Sequence, residues 1–179
     1  MSMIAPELAR CTLKTLEDLP IEFSFLYRDQ TTLIFFVRHF GCIFCRERVT
    51  SLAQALPLLT PHGLNAVVIG NGHPYMARGF VDELQLPFEV YSDRKAQAYQ
   101  LAGMQRNFGL NVTSVKHAWR SYRSGNRQTG VKGDPWQQGG VIIVNTEGQV
   151  IETLPDQSAG DYIDIPALVD RVVDSGFVR

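Results

Sequence analysis

The chain has 179 residues, of which 45% are hydrophobic and 20% charged, and its net charge is −1. That size and composition suit one globular domain, and the balanced charge excludes a global field that draws the chain to nucleic acid or an acidic membrane. No run approaches the roughly 18 apolar residues of a membrane span, and Met1 to Arg10 lacks the basic start and apolar core of a secretory leader, so a cytoplasmic location is expected.

The segment up to Leu19 has no firm periodicity, and a helix is expected around Leu13 to Leu19. Ile21, Phe23 and Phe25 alternate with polar residues and read as a half-buried strand, followed by a turn over Tyr27 to Gln30. Thr31 to Val37 is apolar and β-branched enough for a central strand. After Gly41 a helix is expected, with Val49, Leu52, Ala53 and Leu56 on its buried face. Arg46, Glu47, Thr50, Ser51 and Gln54 mostly face water, and Pro57 ends the helix.

Leu64 to Ile69 reads as a second buried strand, closed by Gly70-Asn71-Gly72. Pro74 suits the first position of a helix that carries Met76, Phe80, Val81 and Leu84. Pro87 to Tyr91 is a short strand, and Asp93 caps a helix through Ala96, Tyr99 and Leu101 that Gly103 stops. Val141 to Val144 and Gln149 to Thr153 form a hairpin, and Ile165, Leu168, Val169, Val172 and Val173 mark a final amphipathic helix. This alternation gives an α/β fold with a mixed sheet.

Gly103 to Gln137 differs in composition. It holds Arg106, Lys116, Arg120, Arg123, Arg127 and Lys132 against the single acid Asp134. Val115, Ala118, Trp119 and Tyr122 share one helical face there, and Lys116, Arg120 and Arg123 share another. The aromatics therefore serve to dock a helix, and the basic face is solvated, not a nucleic-acid surface. The chain is read as one domain over 1–179, with 1–19 an N-terminal extension and 103–137 a basic insertion before the hairpin.

Three cysteines are too few and too odd in number for a disulfide scaffold. Cys42 and Cys45 are three apart where a strand gives way to a helix, while Cys11 is isolated and reads as passive. Unpaired N–H groups and the dipole at a helix start favour thiolate over thiol. A second thiol one turn on attacks a mixed disulfide or sulfenic acid formed on the first. The pattern points to Cys42 as an exposed nucleophile and Cys45 as its resolving partner. Zinc needs further ligands at short spacing, whereas His39, His62, His73 and His117 are scattered, so no metal is expected. Neither Gly70-Asn71-Gly72 nor Gly139-Gly140 matches a nucleotide-binding loop, so no bound nucleotide cofactor is expected.

The stretch Phe35-Phe36-Val37-Arg38-His39-Phe40-Gly41-Cys42-Ile43-Phe44-Cys45-Arg46-Glu47 resembles the peroxiredoxin-like branch of the alkyl hydroperoxide reductase and thiol-specific antioxidant superfamily, which includes prostamide/prostaglandin F synthases. Gln137-Gln138-Gly139-Gly140 before an apolar strand is similar to a second recurring stretch. The resemblance implies a thioredoxin-like fold and reduction of a hydroperoxide, endoperoxide or disulfide. It also implies renewal of the dithiol by thioredoxin or another dithiol reductant, and a role for Arg46 beside the thiolate. Arg38, Arg48 and Glu47 read as ordinary strand-end or helix charges, and His39 as structural. Phe36, Phe40 and Phe44 would make the site apolar and favour lipid-like peroxides.

Two features depart from the relatives. Phe35 and His39 stand where peroxiredoxins carry proline and threonine, and Gly139-Gly140 stands where thioredoxins carry a cis-proline. These departures favour a second reading, a non-catalytic thioredoxin-fold binding or redox-sensing domain.

Overall fold

A computed structural model describes residues 2–106, 133–157, 161 and 163–176. His117 and the expected helical faces of the basic insertion (Lys116, Arg120 and Arg123, with Val115, Ala118, Trp119 and Tyr122) lie outside the described residues, as do Arg127 and Lys132.

In chain order the strands are β1 (Ser2–Met3), β2 (Thr12–Lys14), β3 (Pro20–Glu22), β4 (Thr32–Val37), β5 (Asn65–Gly70), β6 (Val90–Ser92), β7 (Gly140–Val144) and β8 (Gln149–Pro155). The helices are α1 (Pro6–Ala9), α2 (Ile43–Leu59), α3 (Pro74–Leu84), α4 (Gln97–Leu101) and α5 (Ile165–Asp174). Among the described residues the strands form one sheet in the order β1-β8-β7-β4-β5-β6-β2-β3. β4 runs parallel to β5, and β5 to β6, while β7 and β8 are antiparallel. The sheet is mixed and flanked by helices, as the alternation of elements predicts.

Successive side chains of a strand point to opposite faces, and β4 shows the result. Leu33, Phe35 and Val37 join the core under α2, α3 and α5, whereas Ile34 and Phe36 join the core of the other face with Leu13, Phe23 and Tyr99. Burial on both sides explains why β4 is a continuous apolar run. The α2 helix opens at the carboxyl end of β4, the edge where open α/β sheets place their sites.

Four expectations need correction. Thr12–Lys14 is a strand paired with β3 and β6, not part of a helix at Leu13 to Leu19. Phe23–Leu26 is a 3-10 turn, because Phe23 and Leu26 are the pair facing the core while Phe25 stands in solvent. Pro57 lies inside α2, which continues to Leu59; burial of Leu59 offsets the hydrogen bond that Pro57 cannot make. The expected strand Pro87–Tyr91 is confined to Val90–Ser92.

Gly70 of β5 fixes the loop that leads into α2. The Phe40 ring fills the space where a Gly70 side chain would stand, and it packs on Phe80 at 5.6 Å between centroids. Gly70→Ala overpacks this contact and is expected to cost about 1–3 kcal/mol, read as a lower urea midpoint.

Candidate active site

Cys42 is the residue before the first turn of α2, with extended backbone (φ −74°, ψ 124°), and its carbonyl accepts the Arg46 N–H at 3.1 Å. The preceding turn is tied by the Cys42 N–H to the His39 carbonyl at 3.2 Å and by the Gly41 N–H to His39 Nδ1 at 3.2 Å. His39 is therefore a buried neutral acceptor: burial, then Arg38, lower its pKa to about 4. That is the structural role read from the sequence. It supplies no hydroxyl at the place of the peroxiredoxin threonine.

Cys45 lies one turn on, and the Arg38 N–H donates to its sulfur at 3.2 Å. The two thiols divide their protons unequally. A hydrogen bond from the Cys45 thiol stabilises the Cys42 thiolate most, burial opposes it, and Arg38 with the first-turn N–H groups of Cys45 and Phe44 adds to it. Together they bring Cys42 down to about 6. Its side chain makes no capping hydrogen bond of ordinary geometry, so these N–H groups act as oriented dipoles. Burial, and then the bond and charge it shares with Cys42, hold Cys45 well above the ordinary thiol range. All three cysteines are free thiols.

The expected exposure of Cys42 needs correction: Cys42 is 3% and Cys45 6% exposed. Both belong to the core cluster under α2 with Phe40 and Val49. Cys11 sits in the opposite core layer, and burial raises its thiol to about 11, in keeping with a passive residue.

Arg46, for which the resemblance implied a role beside the thiolate, has a carboxylate partner. It is buried on α2 and pairs with Glu83 of α3 at 2.8 Å. The cation that acts on both thiols is Arg38. Its buried guanidinium donates to the Gln137 carbonyl at 3.3 Å and to the Pro135 carbonyl. The strap 133–138 is thereby held against the end of β4. Asp134 N–H donates to Asn71 Oδ1 at 2.6 Å, and Gly133 stands against Asn71 and His39 with no room for a side chain.

The two ends of the basic stretch meet beside this strap. Gln105 N–H donates to Gln138 Oε1 at 2.8 Å, Gln138 N–H to the Gln105 carbonyl at 2.9 Å, and Arg106 pairs with Asp134 at 2.7 Å. Gln137 and Gln138 are thus buried linkers. The sequence marked them only through the stretch that precedes β7.

Arg48 was read as a surface charge, but only 10% of its side chain is exposed. It grips Asp156 with two contacts of 2.7 and 3.0 Å, and donates to the Asp161 carbonyl at 2.7 Å. Asp156, just past β8, carried no sequence signal. The aromatic ground for a lipid-like substrate also changes. Phe36 points into the opposite layer, Phe40 is sealed against Phe80, and Phe44 alone is partly exposed.

A family model described as AhpC/TSA antioxidant enzyme matches residues 51–156. The chain belongs to that family. It is a thiol oxidoreductase on a thioredoxin-like fold, as the first motif implied. The matched span begins after both cysteines and so concerns the body of the fold. The chloroplastic thioredoxin-like protein AAED1 of Arabidopsis thaliana is 31% identical over 167 residues, 84% of this chain and 66% of that protein. Against that relative, the chain spans just under two thirds of its length. The prostamide/prostaglandin F synthase of Salmo salar is 29% identical over 158 residues, 84% of this chain and 78% of that protein. Among solved structures, peroxidoxin BcpB of Mycobacterium tuberculosis superposes with a TM-score of 0.69 at 14% identity, over 97% of this chain and 95% of that one.

Among the described residues no three His, Cys, Asp or Glu side chains gather as a metal site, and no helix is long and apolar enough to cross a membrane.

Proposed function

We propose that the protein reduces a hydroperoxide, an endoperoxide or a disulfide, with Cys42 as nucleophile and Cys45 as resolving thiol. What supports this reading is the unequal sharing of protons between two adjacent sulfurs at a helix start. One is stabilised as thiolate and the other held as thiol. Cys42 thiolate attacks one oxygen of the O–O bond. That bond breaks, and the departing alkoxide takes a proton to leave as alcohol. With a hydroperoxide Cys42 is left as sulfenic acid, and with an endoperoxide as a sulfenate ester, in each case oxidised by two electrons. Cys45 then attacks the Cys42 sulfur, its proton leaves with the hydroxyl as water or with the ester oxygen as alcohol, and a Cys42–Cys45 disulfide forms. For a disulfide substrate, Cys42 attacks sulfur and Cys45 displaces the resulting mixed disulfide.

A cytoplasmic dithiol of the thioredoxin type returns the pair to the reduced state. Arg38 is the cation assigned to the thiolate. Arg46, which the resemblance placed there, is given the task of clamping α2 to α3. The name of the salmon relative makes a lipid endoperoxide one member of the substrate panel.

The test couples the protein to NADPH, thioredoxin reductase and thioredoxin and supplies hydrogen peroxide, an alkyl hydroperoxide, a lipid endoperoxide or a protein disulfide. Protein-dependent NADPH oxidation with at least one of them is expected, and no oxidation with any would overturn the proposal.

A further inference from the structure

We propose that Arg48, held in place by Asp156, is a positioning residue that speeds the departure of Cys45 when the Cys42–Cys45 disulfide is reduced. The inference rests on the dithiol cycle proposed above. Arg48 follows Cys45 by three residues on α2, and positions so spaced lie about 5–6 Å apart on one helix face. Its guanidinium cannot swing into solvent. Its side chain is 10% exposed, gripped by both oxygens of Asp156 at 2.7 and 3.0 Å, and bonded to the Asp161 carbonyl.

Asp156 is itself built into place. Its N–H donates to the Gly139 carbonyl at 3.0 Å, and its carbonyl accepts from Gln138 Nε2 at 2.6 Å. Gly139 leaves room for the carboxylate: a Cβ there would stand 2.7 Å from Asp156 Oδ2 and 2.6 Å from the Phe36 carbonyl. Gly139 thus admits the carboxylate that grips Arg48.

In the reducing step an external thiolate attacks Cys42 Sγ and the S–S bond breaks. The bonding electron pair then stays on Cys45 Sγ, which is buried. A second thiol of the reductant next attacks the mixed disulfide and releases Cys42 as thiolate. The reductant leaves oxidised, and Cys45 takes up a proton. Charge on buried Cys45 is the costly moment, and Arg48 is one of the cations that lower that cost; Arg38 is another. A leaving thiolate of lower pKa departs faster. An opposite charge at this range shifts a pKa by about 1–3 units, so loss of Arg48 slows the step by about tenfold when rate follows pKa at about half weight.

The test is the second-order rate of reduction of the oxidised protein by dithiothreitol, followed by mass spectrometry of the peptide bearing Cys42 and Cys45. Arg48→Gln leaves the Asp156 charge unbalanced and is expected to slow reduction about tenfold. Asp156→Asn leaves the guanidinium less neutralised and is expected to speed it. Arg48→Lys keeps the charge and stays within about twofold of the parent. The double variant Arg48→Gln, Asp156→Asn buries no lone charge. It keeps the test available if a single variant fails to fold, and it is expected to fall between the parent and Arg48→Gln. Equal changes in the same direction for the Arg48 and Asp156 variants, or a double variant matching the parent, would overturn the inference while leaving the dithiol cycle standing. A parent protein that forms no Cys42–Cys45 disulfide would overturn both.

Discussion

Cys42→Ser is expected to lower turnover in the coupled assay by at least about a thousandfold, because a hydroxyl in place of the thiolate leaves no nucleophile at neutral pH. Its fold is expected to persist, since the change removes little volume and the helix keeps a hydroxyl at its cap. Cys45→Ser gives a different failure. Cys42 still reacts once and carries the oxidised sulfur, so one equivalent of peroxide is consumed without turnover. Mass spectrometry of the Cys42 peptide after peroxide then shows sulfenic acid or its trapped adduct in Cys45→Ser and none in Cys42→Ser. Identical loss in both variants, with no burst from Cys45→Ser, would contradict the roles assigned to the two sulfurs.

Removal of Arg38 is expected to have the second largest effect, and to act on two properties at once. Arg38→Gln withdraws a buried cation from both thiols, so the pKa of Cys42 rises, by about 1–3 units for a charge at close range. At a pH near the parent midpoint the alkylation rate then falls by about tenfold or more. The same substitution weakens the donors to the Pro135 and Gln137 carbonyls. Leaving such buried acceptors unsatisfied costs about 1–3 kcal/mol each, which appears as a lower urea midpoint. Arg38→Lys separates the two effects. It keeps the charge, so the Cys42 midpoint stays low, but loses the fork that ties the strap, so stability falls. An Arg38→Gln protein with an unchanged alkylation midpoint would remove Arg38 from the account of the thiolate.

The parts of the fold that the sequence foretells are those with strong local signals. The β4 run, the proline opening α3, the hairpin of β7 and β8, and the Asp164-capped α5 all lie where periodicity and capping place them. Phe23 and Phe25 mislead because alternation over three residues fits a strand as well as a 3-10 turn, and only the burial of Leu26 decides. The dithiol and its place at the opening of α2 are legible for the same local reason. Its surroundings are not. Arg38, Arg46 and Arg48 look alike in sequence as charges beside a motif. Their fates are set by Pro135, Glu83 and Asp156, partners 97, 37 and 108 residues away. The stretch that carries the resemblance contains Arg38 and Arg46 alike, so it ranks neither above the other. The burial of Cys42 has no local signature, since it follows from how the loop before α2 packs into the core.

Ionisation of Cys42 far below an ordinary thiol, with Cys45 keeping its proton, is read from the pH dependence of iodoacetamide alkylation of the reduced protein, resolved by peptide into Cys42 and Cys45. A lowered thiol pKa leaves the thiolate present above that pKa and removes it as pH falls through it. The Cys42 rate is therefore expected to be flat above neutrality and to fall on the acid side with a midpoint near about 6, while Cys45 stays unreactive throughout. Normalising each profile to its own plateau takes out the slow access that burial imposes. A Cys42 rate that is still climbing at about pH 8.5, the midpoint of an unperturbed thiol, or preferential modification of Cys45, would contradict the account.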